Sequence, residues 1–309
     1  MYKRQNIYRV DLRAGGSGHS GLDSDVDGAG PRARRIIASS RLDDSPHVSP
    51  DGTRIAFDSS RSGSREIWVT DAEGRQPRQM TFLRGRAQRP QWSPDGRSIA
   101  FDAITSGRVR ADIYVLAAGS GSPRALTADA SVDMTPTWAA DGKSLYFLSD
   151  RSGGWEIWNV PASGGTARRV TDGGALRAQE SVDGSSLYYG TDVPEVKRRD
   201  LTRTVRTSAD RPIARFSADT HWGGDWTVAA RGLYYLDEHL PAGRAIELLP
   251  FRFGLPGQVI GTAPSVRVAF PAARASERTS FSVAPDESWL VFSQEDYRNR
   301  DIMLLPRVP

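Results

Sequence analysis

The sequence of 309 residues contains no cysteine and very little lysine. Without cysteine there is no thiol nucleophile, no thiolate metal site and no disulfide, so the chain fits a reducing or an oxidising compartment equally. Lysine occurs only at Lys3, Lys143 and Lys197, so nearly all positive charge is arginine. The net charge of +4 is small for this length and by itself indicates no class of partner.

Long apolar runs and helical periodicity are also missing. No stretch approaches the roughly 18 consecutive apolar residues of a membrane-spanning helix. The segment after Lys3 and Arg4 reads NIYRVDL, which lacks the apolar core of a secretory signal. No window of about a dozen residues repeats apolar residues at helical spacing. Eight Trp, nine Tyr and ten Phe nevertheless supply a large core, so the sequence predicts a folded all-β protein without a membrane span.

An internal repeat of 42 to 46 residues runs along the chain. Its most regular part is a turn between two apolar runs, as in SPDGTRIAF from Ser49 to Phe57. Pro, Asp and Gly in this order are turn-forming residues. Between Asp183 and Asp286 the spacing is about two repeat lengths, and Arg231–Leu236 (RGLYYL) fits a degenerate copy of the repeat within it. The repeats are recognised by their turn aspartates, which are Asp51, Asp95, Asp141, Asp183 and Asp286.

Each repeat predicts four short strands. Apolar residues stand four and six positions after the turn aspartate, as Ile55 and Phe57 do, which is the spacing of a strand rather than a helix. A third strand begins at Ile67 and a fourth ends at Thr81, and equivalent positions recur in later repeats. Four-stranded antiparallel units of this length are propeller blades. One blade cannot bury both of its apolar faces alone, so the blades are expected to pack in a ring.

The two ends of the chain share one blade in this prediction. Asn6–Leu12 matches a third strand and Arg35–Ser39 a fourth, while Phe281–Leu305 supplies strands one to three. The sequence therefore predicts a single β-propeller domain over residues 1–309, with six blades and an incomplete N-terminal blade. A Gly/Asp-rich loop insertion is expected at about residues 13–33. Because the third strand of the shared blade occurs twice, a truncated seven-bladed propeller is the alternative.

Two repeated runs resemble the TolB-like propeller family, whose repeats are related to WD-type repeats. One is W-S-P-D-G-x-x-I-A-F, and the other is the S-x-R-S-G-x-x-E-I-W run of Ser59–Gly74 and Ser149–Gly164. The resemblance covers nearly the whole chain and implies a β-propeller. Arg41–Gly52 and Asp301–Leu305 further resemble propellers that follow a winged-helix DNA-binding domain in bacterial transcriptional regulators. This second resemblance implies the sensory or interaction part of a larger protein.

Candidate catalytic and metal-binding patterns are incomplete. The nucleophile elbow G-x-S-x-G of hydrolases is approached only at Gly18–Leu22, which lacks the final glycine. Asp23, Asp25 and Asp27 have the spacing of the first half of a calcium loop. Arg34 stands where that loop requires its bidentate glutamate. We therefore expect a solvated loop, no cofactor and no catalytic residues, with calcium binding as the alternative for this loop.

The loops that enter the first strand of each blade are expected to surround one mouth of the central channel. Loops on a rigid scaffold commonly carry binding residues. Their charged side chains are expected to form a polar funnel for a protein, a peptide or a small ligand, and the alternative is that they are ordinary solvated residues. The candidate rim residues are Asp43, Asp44, Arg86, Arg89, Asp133, His221 and Asp225.

The sequence thus predicts a non-catalytic binding scaffold, a monomeric domain of a larger bacterial regulator, located in the cytoplasm. Two alternatives stay open: a propeller lyase or hydrolase whose rim metal would gather His47, His221 or the Asp23–Asp27 loop, and a periplasmic TolB-like envelope component. Basic clusters such as Lys197–Arg199 are short, and acidic residues are interspersed elsewhere. Phosphate binding needs a sustained one-sided field, so no direct nucleic-acid contact is expected.

Overall fold

The computed structural model contains six four-stranded antiparallel sheets. It describes residues 4–12, 33–119, 121–193, 195–202, 210–215, 226–240, 243–251, 267–270 and 280–296. No helix occurs within these ranges. The sheets are arranged as the blades of a six-bladed β-propeller, which confirms both the all-β fold class and the prediction of six blades.

The first three blades follow one another along the chain. Blade 1 consists of β3 (Asp43–Val48), β4 (Arg54–Ser59), β5 (Glu66–Asp71) and β6 (Arg78–Gln79). Blade 2 consists of β7 (Arg86–Trp92), β8 (Ser98–Ile104), β9 (Asp112–Ala117) and β10 (Arg124–Ala125). Blade 3 consists of β11 (Asp133–Trp138), β12 (Ser144–Ser149), β13 (Glu156–Pro161) and β14 (Arg168–Arg169).

Blades 4 and 5 continue this order, and blade 6 joins the two ends of the chain. Blade 4 consists of β15 (Arg177–Glu180), β16 (Ser186–Gly190), β17 (Glu195–Asp200) and β18 (Arg211–Arg215). Blade 5 consists of β19 (Trp226–Val228), β20 (Gly232–Leu240), β21 (Gly243–Pro250) and β22 (Arg267–Phe270). Blade 6 consists of β23 (Phe281–Val283), β24 (Trp289–Asp296), β1 (Arg4–Asp11) and β2 (Arg34–Ile37).

Blade 6 closes the ring by pairing the N-terminal strand with a C-terminal one. β1 pairs along its whole length with β24, from Arg4 opposite Asp296 to Asp11 opposite Trp289. The N-terminal copy of the third strand therefore occupies the third position of this blade. The competing copy expected at residues 302–305, and the loop insertion expected at about 13–33 apart from Ala33, lie outside the described residues.

The hydrophobic core is divided among the boundaries between blades. Six clusters of buried apolar side chains are found in the described residues, and each joins two adjacent blades. Phe101 of β8 packs with Ile67 of blade 1, whereas its neighbour Ala100 packs with Phe147 of blade 3. Successive residues of a strand point to opposite faces, so each central strand contributes to two clusters and every blade depends on both neighbours.

The repeated turn of the sequence is held by its own aspartate. In blade 1, Ser49 donates its hydroxyl to Asp51 at 2.5 Å, and the Thr53 N–H donates to the same carboxylate at 3.0 Å. These hydrogen bonds lower the pKa of Asp51 to about 2, with the Ser49 hydroxyl as the main cause. The Ser-x-Asp arrangement recurs with the same contacts at Ser93 and Ser181.

At two blade boundaries a glutamate accepts hydrogen bonds from the turn and the second strand of the preceding blade. Glu180 of β15 accepts hydrogen bonds from the Ala140 N–H at 2.7 Å and the Tyr146 hydroxyl at 2.7 Å in blade 3. Glu287 of blade 6 accepts from the Arg231 N–H and the Tyr234 hydroxyl of blade 5, at 2.8 and 2.6 Å. Glu180 stands three residues before its turn aspartate, where the other repeats have the apolar residues Val48, Trp92, Trp138 and Val283. Its contacts with blade 3 give the physical reason for this exception.

Replacing Glu180 by valine should destabilise the protein, although valine occupies the equivalent position of blades 1 and 6 as Val48 and Val283. The Ala140 N–H and the Tyr146 hydroxyl would lose their partner at the boundary between blades 3 and 4, at a cost of about 2–4 kcal/mol for two such groups. Urea unfolding followed by tryptophan fluorescence measures the change. Glu180→Gln retains an acceptor oxygen and should lose less, so equal stability of all three proteins would contradict this role.

Candidate functional site

The first strands of the six blades lie around the central axis, each beside the first strand of the next blade. One end of this channel, which we call the entry face, is formed by the loops between the second and third strands and by the segments that lead into each first strand. The other end, the turn face, carries the Asp-Gly turns. The candidate rim residues that the structure describes belong to the entry face, so its side chains are the first to consider. They are Asp43, Asp44, Arg86, Arg89 and Asp133.

Three first strands bulge in the same way as they leave the entry face. Ser45, Arg89 and Thr135 have φ values of 50°, 53° and 51°, and each precedes a proline in its strand. The pairing with the second strand shifts register at each of these positions. Such a bulge turns one backbone N–H out of the ladder, and that donor needs another acceptor.

A side chain of the preceding blade accepts a hydrogen bond from each of these donors. The Arg89 N–H donates to Asp58 Oδ1 of β4 at 3.2 Å, and the Thr135 N–H donates to Asp102 Oδ1 of β8 at 3.2 Å. The Ser45 N–H donates to the hydroxyl of Ser280, next to β23, at 3.0 Å, and also to Oδ1 of its neighbour Asp44 at 2.7 Å. Each bulge therefore links two blades, so the entry face is fixed by contacts across blade boundaries.

An ion-pair network extends these links over blades 1 and 2. Arg65 donates to Asp44 Oδ2 at 3.0 Å and forms a short contact with Asp58 Oδ2. Arg89 forms a two-point pair with Asp102, at 2.7 and 2.8 Å. Asp44, Asp58 and Asp102 are buried, and both arginines remain partly exposed. Fixed two-point pairs of this kind are among the stronger charge-assisted contacts.

Burial dominates the electrostatics of Asp58. It raises the pKa of this carboxyl to about 6, against the attraction of Arg65, and the nearby negative charge of Asp44 adds to the rise. The Arg65 and Asp44 side chains and the Arg89 N–H all face this group. Asp58 therefore gains a proton under mildly acidic conditions.

Polar residues occupy one repeated position in the first strands, further along the channel. This position lies four residues before the turn aspartate, as His47 does in blade 1. The Trp92 N–H donates to His47 Nδ1 at 3.1 Å. The side-chain amide of Gln179 accepts the Val228 N–H at 3.0 Å and donates to the Val228 carbonyl at 3.1 Å. Thr137 and Ser282 make equivalent contacts with the main chain of the following blade. Burial, and then the charge of Arg177, lower the pKa of His47 to about 4, so His47 is a neutral structural acceptor.

Several predicted rim residues are not exposed loop residues. Asp43, Asp44 and Asp133 are buried and lie in the first strands β3 and β11, so their assignment to loops was wrong. Arg61 donates to Asp43 at 2.7 Å and Arg151 donates to Asp133 at 2.7 Å. Each guanidinium covers and neutralises its carboxylate, and for this reason the acids lie inside and the arginines face outward.

The remaining predicted residues differ in position. Arg86 is exposed at the start of β7, and Arg89 belongs to the network with Asp102. The structure thus brings Asp44 and Arg89 into one assembly through Arg65 and Asp58, while Asp43 and Asp133 remain apart in blades 1 and 3. Outside the described residues lie His221, Asp225, Asp23, Asp25 and Asp27.

Sequence reasoning missed the acceptors Asp58 and Asp102, and it missed Arg65, the partner of Asp58. A signal was present, because both aspartates stand seven residues after a turn aspartate, and the next blade has a proline in the middle of its first strand. In blade 3 the same position is Leu148, and the first strand of blade 4 has Ala178 in place of the proline. At these two boundaries the acid and the proline occur together, whereas at the boundary with blade 6 the position corresponding to the acid is Ser293, although blade 1 has Pro46.

Metal-binding side chains do not converge in the part of the chain that is described. No group of three or more His, Asp or Glu residues there has an arrangement that could hold a metal ion. The described residues also include no helix that is long and apolar enough to cross a membrane. The calcium-loop prediction falls outside these residues and stays a prediction.

Solved structures with the same fold include TolB proteins and a lyase. A putative TolB from Agrobacterium tumefaciens aligns with a TM-score of 0.67 at 18% identity, over 96% of this chain and 100% of that chain. TolB from Acinetobacter baumannii gives 0.58 at 18% identity, over 95% and 64%. An oligogalacturonate lyase in complex with manganese gives 0.52 at 13% identity, over 70% and 67%. At these identities the likeness establishes the fold alone. No curated protein matches this sequence.

Six blades with an interlocked polar entry face define the class of this protein, a β-propeller whose blades repeat the Pro-Asp-Gly turn. A family model described as the TolB beta propeller domain matches residues 20–208, which is more than half of the chain. The chain belongs to the TolB-like β-propeller family, as the repeated runs of the sequence indicate.

Ionisation of Asp58 should make the protein less stable as the pH rises. Its folded pKa of about 6 lies above the ordinary value of 3.8, so the folded state binds more protons than the unfolded chain between these pH values. The free energy of unfolding, relative to that of Asp58→Asn, should therefore fall by about 2–3 kcal/mol from acid to neutral pH. Urea unfolding at a series of pH values measures this difference.

Asp95 provides the control, because its pKa is lowered by the hydroxyl of Ser93 and the N–H of Arg97. The difference between wild type and Asp95→Asn should change in the opposite direction, with stability rising as the pH rises through the acid range. A difference between wild type and Asp58→Asn that stays flat or rises with pH would contradict the buried position of this carboxyl.

Proposed function

We propose that the propeller is a non-catalytic scaffold that binds a protein or peptide partner at its entry face. The observation that carries this proposal is the network from Asp44 through Arg65 and Asp58, continued by the Arg89–Asp102 pair across the boundary between blades 1 and 2. These charged groups hold one another in position. They form a rigid part of the entry face in which the Arg65 and Arg89 side chains are partly exposed, and a preorganised surface loses little entropy when a partner binds.

The chemistry of the described groups also supports binding over catalysis. A general base needs a pKa near the working pH and access to substrate. His47 has a strongly lowered pKa, and its Nδ1 accepts the Trp92 N–H. Asp58 has a raised pKa, but it is fully buried and bonded to Arg65 and the Arg89 N–H. Both groups therefore serve the packing of the blades.

A metal-dependent lyase or hydrolase is the alternative from another class. The structural likeness to the oligogalacturonate lyase motivates it, yet it is a likeness of fold alone at 13% identity. The histidine that would have to join His47 is His221, outside the described residues. The scaffold proposal is preferred because contacts between described residues support it.

The wider setting of the propeller is also a proposal. The likeness to two TolB structures supports a periplasmic envelope component, and we favour this over the cytoplasmic location predicted from the sequence. The resemblance of Arg41–Gly52 to propellers of bacterial regulators supports a sensory role within a larger protein. Both settings require the same property, which is the recognition of another protein by a rigid propeller face.

Single-cysteine variants can test the proposed face, because the chain contains no other cysteine. Ser62 and Ser152 are exposed in loops of the entry face, whereas Lys143 and Ser163 are exposed on the turn face. Each residue is replaced by cysteine, labelled with a benzophenone maleimide and irradiated in an extract of the native cells. We expect the same protein to be cross-linked from both entry-face positions, because a bound partner covers that side of the ring.

The turn-face variants are the controls and should give about background yield of that product. The yield is read from labelled bands, and the partner is identified by mass spectrometry. Equal cross-linking from Lys143→Cys, or no specific product from either entry-face variant, would reject the proposal.

A further inference from the structure

Four exposed arginines lie on two neighbouring segments of the entry face around blade 2. Arg84 lies in the segment that leads into β7, Arg86 is the first residue of β7, and Arg108 and Arg110 lie in the loop between β8 and β9. These two segments touch, because a Cβ added to Gly85 would lie 2.1 Å from the carbonyl oxygen of Ile104. The two segments therefore form one continuous part of the entry face, and we call the part that carries these four arginines the arginine surface.

The same surface exposes two large apolar side chains. Phe82 is 73% exposed and Val109 is 90% exposed. Exposed apolar side chains that lie close to cations are typical of surfaces that bind a partner. Val109 stands between Arg108 and Arg110 in the chain, and Phe82 precedes Arg84 by two residues, so apolar and cationic groups alternate along both segments.

The backbone under Phe82 is held in place. The buried carboxylate of Glu66 accepts the N–H groups of Leu83 and Arg84 at 3.1 and 2.9 Å, and the hydroxyl of Thr81 at 2.6 Å. Arg84 has a φ of 52°, a conformation that these contacts stabilise. The segment thus presents its side chains from a fixed loop, which lowers the entropy cost of binding.

Negative and positive side chains lie at different depths on the entry face of blades 1 and 2. The acids of the entry-facing part of blades 1 and 2 are buried, while the outer arginines are exposed. On the described entry face, acids come to the surface only from blade 3 onward, where the exposed Asp129 pairs with Arg151 and the half-buried Asp150 lies 3.6 Å from Arg110. Arg108 pairs with the buried Asp112 at 2.9 Å. The buried acids are Asp43, Asp44, Asp58, Glu66, Asp102 and Asp112.

This separation selects the chemistry of the partner. Guanidinium groups pair with carboxylates in two-point geometry, and Phe82 and Val109 provide apolar contacts between them. A nucleic acid would need a longer one-sided positive field, whereas this field ends at Asp129 and Asp150. A short peptide with alternating acidic and apolar residues matches both the size and the pattern of the surface.

We propose that the arginine surface binds an acidic, apolar-containing segment of the partner protein. This inference rests on the proposed function, and it specifies the chemistry and the place of contact. Carboxylates of the segment pair with Arg84 and Arg86 and add to the existing pairs of Arg108 with Asp112 and of Arg110 with Asp150. Its apolar side chains cover Phe82 and Val109.

Fluorescence anisotropy with synthetic probes tests the proposal on the full chain. The probe is a fluorescein-labelled peptide in which Glu alternates with Leu and Phe, and its matched control has Gln in place of every Glu. The double variant Arg84→Ser, Arg110→Ser should weaken binding of the acidic peptide about tenfold at low salt. Arg75→Ser, Arg97→Ser removes two exposed arginines of the turn face and should leave the affinity within about twofold.

Three results would overturn the proposal: no binding of the acidic peptide to the wild type, equal binding by the two double variants, or tighter binding of a single-stranded oligonucleotide of equal charge. Circular dichroism of each variant confirms that the blades are folded. Cross-linking through Ser62→Cys separates this proposal from the proposed function. A product whose yield is unchanged by the Arg84 and Arg110 substitutions would reject the arginine surface and retain the binding face.

Discussion

The mutual burial of neighbouring blades is the constraint on which the rest of this structure depends. Each central strand directs alternate residues to opposite faces, so Ala100 and Phe101 belong to the cores of two different boundaries. No blade can be removed without exposing the cores of both neighbours. The pairing of β1 with β24 is the step that completes the ring and leaves every boundary covered.

Closure also determines the polar chemistry of the channel. The first strand of each blade has an edge that no further strand of its own sheet can pair with, and buried backbone groups require partners. His47, Thr137, Gln179 and Ser282 reach across to the main chain of the next blade. Asp58 and Asp102 serve the bulges in the same way. As a result the carboxylates of Asp58 and Asp102 are buried, and Arg65 and Arg89, which neutralise them, lie nearer to solvent.

The repeat predicted most of the fold because its signals are local. The Asp-Gly turns and the alternation of apolar residues at Ile55 and Phe57 act within one blade, and the structure has them where the sequence indicated. The candidate site was predicted less well. Asp43 and Asp133 were expected in exposed loops, but Arg61 and Arg151 cover them, and such pairs depend on how a loop folds back over its own strand.

The sequence by itself determined the strand pattern and the sharing of one blade between the two ends of the chain, since both follow from spacing along the chain. The structure decided between six and seven blades, because β1 occupies the third position of the shared blade. Only the tertiary structure decided which polar residues meet. Glu180 and Tyr146 are 34 residues apart, and Asp58 and Arg89 are 31 residues apart, yet each pair is in hydrogen-bond contact. Contacts of this kind arise when one blade packs against the next, and no local spacing encodes the geometry of that boundary.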